Sequence, residues 1–486
     1  MTRDGQRRSL LRRHRDFRLL WCGETAGKFG ASVTGVAMPL VAVSELHAST
    51  FQIGLLSAAS WAPWLVVGLP AGVWVDRSPR RTVMLAAAAV SLVLFAAVPA
   101  AAWAGRLSTG LLLAVALLTG TAAVFFQTAY TAYLPDLLSP ADQPEGNAKL
   151  HGSASAAQIV GLGSGGLLAQ LAGAANGMLA NAATFLVSLL CLGRIRHRET
   201  RADNKRGAER ALRREIGEGL RLVARDRWLR TLTLYGATSN LALMGYQSIL
   251  VAFLVREVGL APGTVGALVA AAGSGGVLGA FAARRVAARV GTARAMILFE
   301  LGLPALALLI PLTGTGAGVL CYAVGGFGVS AGVVAGNVIK SGFQQHYCPP
   351  ELLGRITASA AVLNYGTIPV GALLAGVLGT AVGLRPAMWI TTAGVPLAAL
   401  VLLLSPVGRV RDLPTTRRPA DPAPAPAPGR GTTAATASPA LTCAVDPAPW
   451  TPPARARRAR GRSGGRRRLG PWHSTRTASG SRRRPG

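Results

Sequence analysis

The sequence predicts an all-α membrane protein with twelve transmembrane helices in two six-helix bundles, and three observations lead there. Between residues 17 and 404 the chain carries twelve apolar stretches, most of 18 to 28 residues, joined by short polar links. Each can cross about 30 Å of hydrocarbon at about 1.5 Å per residue. Helices of a soluble domain keep a polar face, so this many uninterrupted stretches excludes one. With the N-terminus placed in the cytosol, the inside links hold 27 Lys and Arg and the outside links three. That asymmetry predicts an even number of spans with both termini cytoplasmic. The longest link, which carries 12 of the 27, then divides the spans six and six.

Taken in order, residues 1–16 read as a basic cytosolic N-terminus and 17–193 as the first bundle, with spans such as 51–75, 82–104, 107–134 and 150–172. The first stretch is full length, so it reads as its own signal anchor rather than a cleavable leader. In the linker 194–228, Leu212, Ile216, Leu220 and Val223 recur at helical spacing among Arg213, Arg214, Arg221 and Arg225. This predicts an amphipathic helix on the cytosolic headgroups. Residues 229–405 form the second bundle, with spans such as 265–286 and 356–382. From 406 to 486 the chain turns Pro- and Arg-rich, with 17 Arg against three Asp and no apolar periodicity. It reads as a disordered, dispensable cytosolic tail. Two readings of it stand open: contact with anionic lipid, or no function. Four lysines against 47 arginines suggest GC-rich coding DNA, in which a shifted frame would encode such a tail.

The net charge of +31 could suggest nucleic-acid binding, but cytosolic loops and tails account for the arginines. Five scattered cysteines and six dispersed histidines have no metal spacing. No phosphate loop is present, which speaks against ATP-driven transport, and no cofactor is expected. Nothing in the sequence suggests an enzyme.

Between the second and third stretches, Gly72-Val-Trp-Val-Asp76-Arg77-Ser-Pro-Arg80-Arg81 resembles the signature loop of the major facilitator superfamily, G-x-x-x-D-R-x-x-R-R. Physically, Gly72 would permit close packing, while Asp76 and the arginines could form a charge network at helix ends. A degenerate echo, Arg284-Arg285 through Gly291, stands at the equivalent loop of the second half. Gly23-Glu24-Thr25, Met38-Pro39, Ala132 to Pro135, Asn147, Gly354-Arg355 and Pro369-Val-Gly371 resemble a bacterial branch of drug, siderophore and macrolide exporters. In the fifth stretch, Gly161-Leu-Gly163-Ser-Gly165-Gly166 resembles the glycine-rich motif of antiporting exporters. The chain departs from that branch at Leu162, where proline is usual, and at Gln127 and Asn181, where acids often stand. It departs again at Phe343, near a common arginine.

Ionisable groups inside a membrane are functional candidates by default. Glu24 and Lys28 lie one turn apart on one helical face. They read either as a packing pair or as a proton-exchanging carboxylate with a modulating lysine. Glu300 is the next carboxylate, and Lys340 can snorkel to headgroups. Neutral candidates are Gln127, Tyr130, Gln158, Asn181, Asn240, Gln247, Asn337 and Asn364. The resemblance implies a secondary transporter of the cytoplasmic membrane, a monomer that exchanges protons for a small amphipathic molecule by alternating access. An uncoupled facilitator and a transport-dead membrane sensor are the alternatives.

Overall fold

The computed structural model describes residues 9–197, 199 and 208–415, and among these there is no β-strand. The helices are α1 (Arg15–Glu45), α2 (Thr50–Val66, then Gly68–Arg77), α3 (Arg80–Trp103), α4 (Thr109–Leu137), α5 (Gln143–Ala172) and α6 (Ala174–Arg194). After a linker helix (Ala208–Arg225) come α7 (Arg227–Glu257), α8 (Pro262–Val290), α9 (Thr292–Leu312), α10 (Gly316–Tyr347), α11 (Pro350–Ala381) and α12 (Leu384–Leu403). Ten are long and apolar enough to cross a membrane, and α2 joins them if its two bent segments count as one span. With 30 residues, α5 has the length but is diluted by Gly, Ser and Gln, because it packs between α1 and α8.

Local chemistry sets the boundaries. Ser49 and Gln52 form a capping box that opens α2, and Asp226 accepts from the Trp228 and Leu229 amides to open α7. Pro70 has no N–H to offer Val66, and α2 breaks at Val67. In α9 a π-turn over Leu298–Gly302 gives way at Pro304 to tighter winding.

The packing repeats six helices later. In the first half α1 packs on α5 and α6, α3 on α4 and α6, and α2 on α4. In the second, α7 packs on α11 and α12, α9 on α10 and α12, and α8 on α10. The halves meet through α2 against α11 and α5 against α8. One apolar cluster, including Val33, Val41, Ile53, Val251, Val265 and Ala375, joins both halves at the end bearing the turns 45–50 and 257–262. At the opposite end each half has its own cluster, around Phe17, Met84 and Tyr133 in one and Leu229, Met296 and Ile339 in the other. The halves are fused at one end and apart at the other.

Two expectations change. The linker helix does not simply lie on headgroups: Glu218 bonds Arg355 at 3.2 Å, Val223 is buried, and a Cβ on Gly219 would come within 2.7 Å of the Arg355 carbonyl. Its C-terminal half is docked on α11, while Arg221 and Arg225 stay exposed. The tail begins later than residue 406. Val407 and Leu413 are buried, and the Asp412 carboxylate accepts from the Thr292 amide at the start of α9 (2.9 Å). Truncation after Gly408 would remove part of the folded unit. Residues 416–486, with the Arg clusters, lie outside the described residues.

Candidate translocation site

Two cavities that carry charged and amide side chains open toward the end where the halves are apart. The first, about 420 Å³, lies between α1, α4 and α5 and is lined by Glu24, Lys28, Gln127, Tyr130, Asn147 and His151, among others. The i,i+4 spacing on α1 brings Lys28 Nζ to 3.3 Å from Glu24 Oε1, and Gln127 on α4 accepts from the same ammonium at 3.4 Å. The carboxylate is tucked in, with 7 % exposure, while the lysine side chain is 43 % exposed.

The second cavity, about 270 Å³, lies between α7, α9, α10 and α11 and includes Tyr235, Glu300, Asn337, Lys340, Asn364 and Tyr365. The π-turn of α9 aims Glu300 at Tyr235, whose hydroxyl donates to its carboxylate. Gly336 leaves the room that the buried carboxylate fills, since a Cβ there would meet Glu300 Cγ at 2.8 Å. Lys340 donates no hydrogen bond and forms no ion pair within 4.0 Å among the described residues.

Of the residues singled out in the sequence, Glu24, Lys28, Gln127 and Tyr130 share the first cavity, and Glu300, Asn240, Asn337, Lys340 and Asn364 the second. Asn181 lines neither. It is fully buried between α1 and α6, donating to Thr34 and accepting from Thr184 (3.2 Å), under Gly30. Gln158 and Gln247 line neither cavity. Tyr235 was missed, because nothing in sequence marks a tyrosine as the partner of a carboxylate 65 residues away.

The signature loop divides its labour unevenly. Arg80 reaches the end of α4, contacting Asp136 and donating to the Ala132 carbonyl at 3.0 Å. Arg81 closes the C-terminus of α6 through the Leu192 (2.9 Å) and Gly193 (2.7 Å) carbonyls, where the helix dipole favours a cation. Glu199 accepts from the amides of Arg80 (2.7 Å) and Arg81 (2.6 Å), an anion on the N-terminus of α3. Sequence reasoning passed over both Glu199 and its counterpart Asp412 at α9. Asp76 and Arg77 are exposed and make no hydrogen bond or ion pair among the described residues. A Cβ on Gly72 would meet nothing within 4 Å. The close approach expected at Gly72 is absent in this conformation, because the part of α2 that meets α11 lies at the other end.

The glycines of α5 do make contact. A Cβ on Gly161 would lie 2.7 Å from the Phe29 carbonyl and one on Gly165 2.8 Å from that of Val33, both on α1. Gly166 faces the other half: its Cβ would lie 2.6 Å from Gly266 Cα on α8. Gly54 of α2 meets Gly376 of α11 in the same way, with 2.9 Å to its Cα. Backbone against backbone closes this end.

Near the first cavity, Arg13 bonds Asp142 at 2.7 Å, and Leu10 N–H donates to Glu145 at 3.0 Å. The Ser139 hydroxyl and the Arg13 guanidinium hold the Asp142 carboxyl below its usual range.

The profile of the Major Facilitator Superfamily matches residues 20–366. Over 414 residues the chain is 29% identical to the multidrug efflux pump Tap of Mycolicibacterium fortuitum, covering 82% of this chain and 97% of that one. It is 30% identical over 393 residues to Tap of Mycobacterium tuberculosis (strain ATCC 25618 / H37Rv), covering 79% and 92%. Among solved structures, a bacterial homologue of the iron transporter ferroportin in an inward-facing state has a TM-score of 0.62 at 17% identity, covering 82% of this chain and 99% of that one. The nucleoside transporter NupG has a TM-score of 0.65 at 9% identity, covering 80% and 98%. At such identities these two speak for the fold alone.

Proposed function

The chain belongs to the Major Facilitator Superfamily, and from that membership we propose that it exports a small amphipathic molecule in exchange for protons. It is a multi-pass membrane transporter, not an enzyme, and the relatives that span most of its length are multidrug efflux pumps. Export by this chain is inferred from them. The observation that carries proton coupling is the first cavity: a tucked carboxylate, Glu24, held by a lysine that the cavity reaches. Protonating Glu24 would release Lys28, and a ligand on Lys28 would release Glu24, so proton and substrate are coupled through one partner.

Alternating access is supported by the two unequal ends. Contacts Gly54–Gly376 and Gly166–Gly266 seal one, and the cavities approach the other. If the Arg-rich links are cytosolic, as the 27 to three distribution argues, this is an inward-open state of a protein in the bacterial cytoplasmic membrane. Arg80, Arg81 and Glu199 then stabilise the cytosolic rim, while Gly72, Asp76 and Arg77 are free to engage α11 when that end closes. A monomer surrounded by lipid is the proposed working unit, each cavity being lined by helices of its own half. The neutral Gln127 and Asn181 favour a second reading, an uncoupled facilitator.

The test is reconstitution in vesicles with a panel of fluorescent drugs, with and without an inward proton gradient. Uphill efflux that needs the gradient in the native protein, with only downhill exchange in Glu24→Gln, is the expected result. Identical gradient dependence in a folded Glu24→Gln protein removes Glu24 from coupling.

A further inference from the structure

The two cavities share a design that bears on what enters them. Each has one carboxylate and one lysine, and in each the carboxylate is already engaged and withdrawn. Glu24 is 7 % exposed against Lys28, and Glu300 is 4 % exposed under the Tyr235 hydroxyl. The lysines are the less engaged groups, Lys28 the more exposed and Lys340 half-buried within electrostatic reach of Glu300. Lys28 is 43 % exposed, and its contacts at 3.3 and 3.4 Å are long for charge-assisted bonds, which run to about 2.7–2.9 Å. Lys340 lines its cavity without a hydrogen bond or ion pair among the described residues.

Arginine outnumbers lysine 47 to four in the chain, yet both cations lining the cavities are lysines. A lysine is a compact point charge that accepts an anion from several directions, whereas arginine's fork selects planar, bidentate partners. Around the second lysine, Asn240, Asn337, Gln344 and Asn364 add amide groups. Among the described residues, no carboxylate other than Glu24 and Glu300 lines either cavity. An organic cation would have to displace Lys28 or Tyr235 from a carboxylate that holds it. An organic anion finds an ammonium waiting.

Resting on the export reading, we propose that the substrate of these cavities is an amphipathic organic acid, whose carboxylate or sulfonate is bound by Lys28 or Lys340.

Binding to the purified full chain in detergent, by equilibrium dialysis, tests this with three matched probes: 2-naphthoxyacetate, its neutral amide, and 2-(2-naphthyloxy)ethylamine. The acid should bind about ten- to hundredfold more tightly than the amine, the span of one charged hydrogen bond. The double variant Lys28→Met/Glu24→Gln keeps the first cavity neutral, so it does not strand a buried carboxylate. This variant or Lys340→Met, eluting as a single species, should lose that preference. Equal or tighter binding of the amine overturns the proposal. So does an acid affinity unchanged in both variants, or no saturable binding of the acid. No gradient or flux enters the measurement, so failure of export in vesicles leaves this result readable on its own.

Discussion

Asn181 and Gln127 both stand where resembling exporters often carry acids, and their surroundings give them different work. Gln127 touches the Lys28 ammonium in a cavity, whereas Asn181 ties α6 to Thr34 of α1 and lines neither of the two cavities. Asn181→Ala should therefore cost about 1–2 kcal/mol through the unmet Thr34 hydroxyl and the space it leaves, Thr184 keeping its bond to the residue-181 carbonyl. A lower melting temperature with unaltered gradient dependence of transport is the expected reading, and altered gradient dependence would count against a purely structural role. The sequence could show the Glu24–Lys28 pair because both lie on one helix a turn apart. It could not show that Gln127 joins them, or that Tyr235 meets Glu300, since those partners come from other helices. Outside the membrane, the depressed Asp142 carboxyl contributes stability that is complete above the usual carboxylate range and is lost as pH falls through its lowered value. Arg13→Ala should raise the Asp142 titration toward its ordinary value, as followed by NMR of carbon-13-labelled aspartate. An unmoved titration would mean that the Ser139 hydroxyl alone depresses it.

Helices meet where glycine allows it, and the glycine-rich segment of α5 was visible in sequence as a motif, though not which neighbour each glycine faces. Gly161 and Gly165 bind α5 to its own half, while Gly163 and Gly166 face α8 of the other, Gly166 the more closely. Gly166→Val should wedge the closed end at a cost of about 1–3 kcal/mol. That is enough to shift a two-state population by about fivefold to a hundredfold. Faster maleimide labelling of a cysteine placed at Gln170, which bonds the Gly263 amide at 2.9 Å, would report the opening. Unchanged labelling would mean that this contact does not hold the end shut. The signature loop was legible as a charge cluster, but its anionic partner was not. Glu199 sits in an Arg-rich linker that reads as surface, and it becomes structural only because α6 ends beside the start of α3. Glu199→Gln should lower stability by about 0.5–2 kcal/mol, the scale of a helix-end cap. A melting temperature equal to the native one would make it decoration.

At the scale of the molecule, apolar run length and the placement of Arg were enough to foresee two six-helix halves, since membrane crossing and helix packing demand both. The end of the folded unit was not foreseeable, because residues 409–413 have no apolar run and are held by Leu413 burial, the Asp412 carboxylate and backbone bonds of Arg411 and Leu413 to the start of α9. A chain ending at Gly408 should show a lower melting temperature by loss of the Asp412 cap and Leu413 burial, while one ending at Thr415 should match the native chain. Equal melting of both would make the strap idle. Asp412 over α9 repeats Glu199 over α3, so each half carries, just past its sixth helix, a carboxylate that fastens it to its own third helix. Each half is thus fastened within itself, apart from the contacts that join the two. Genetic complementation becomes possible: two polypeptides, cut between residues 200 and 208 and produced in one cell, should find each other through the faces of α2 with α11 and α5 with α8, and work as a heterodimer.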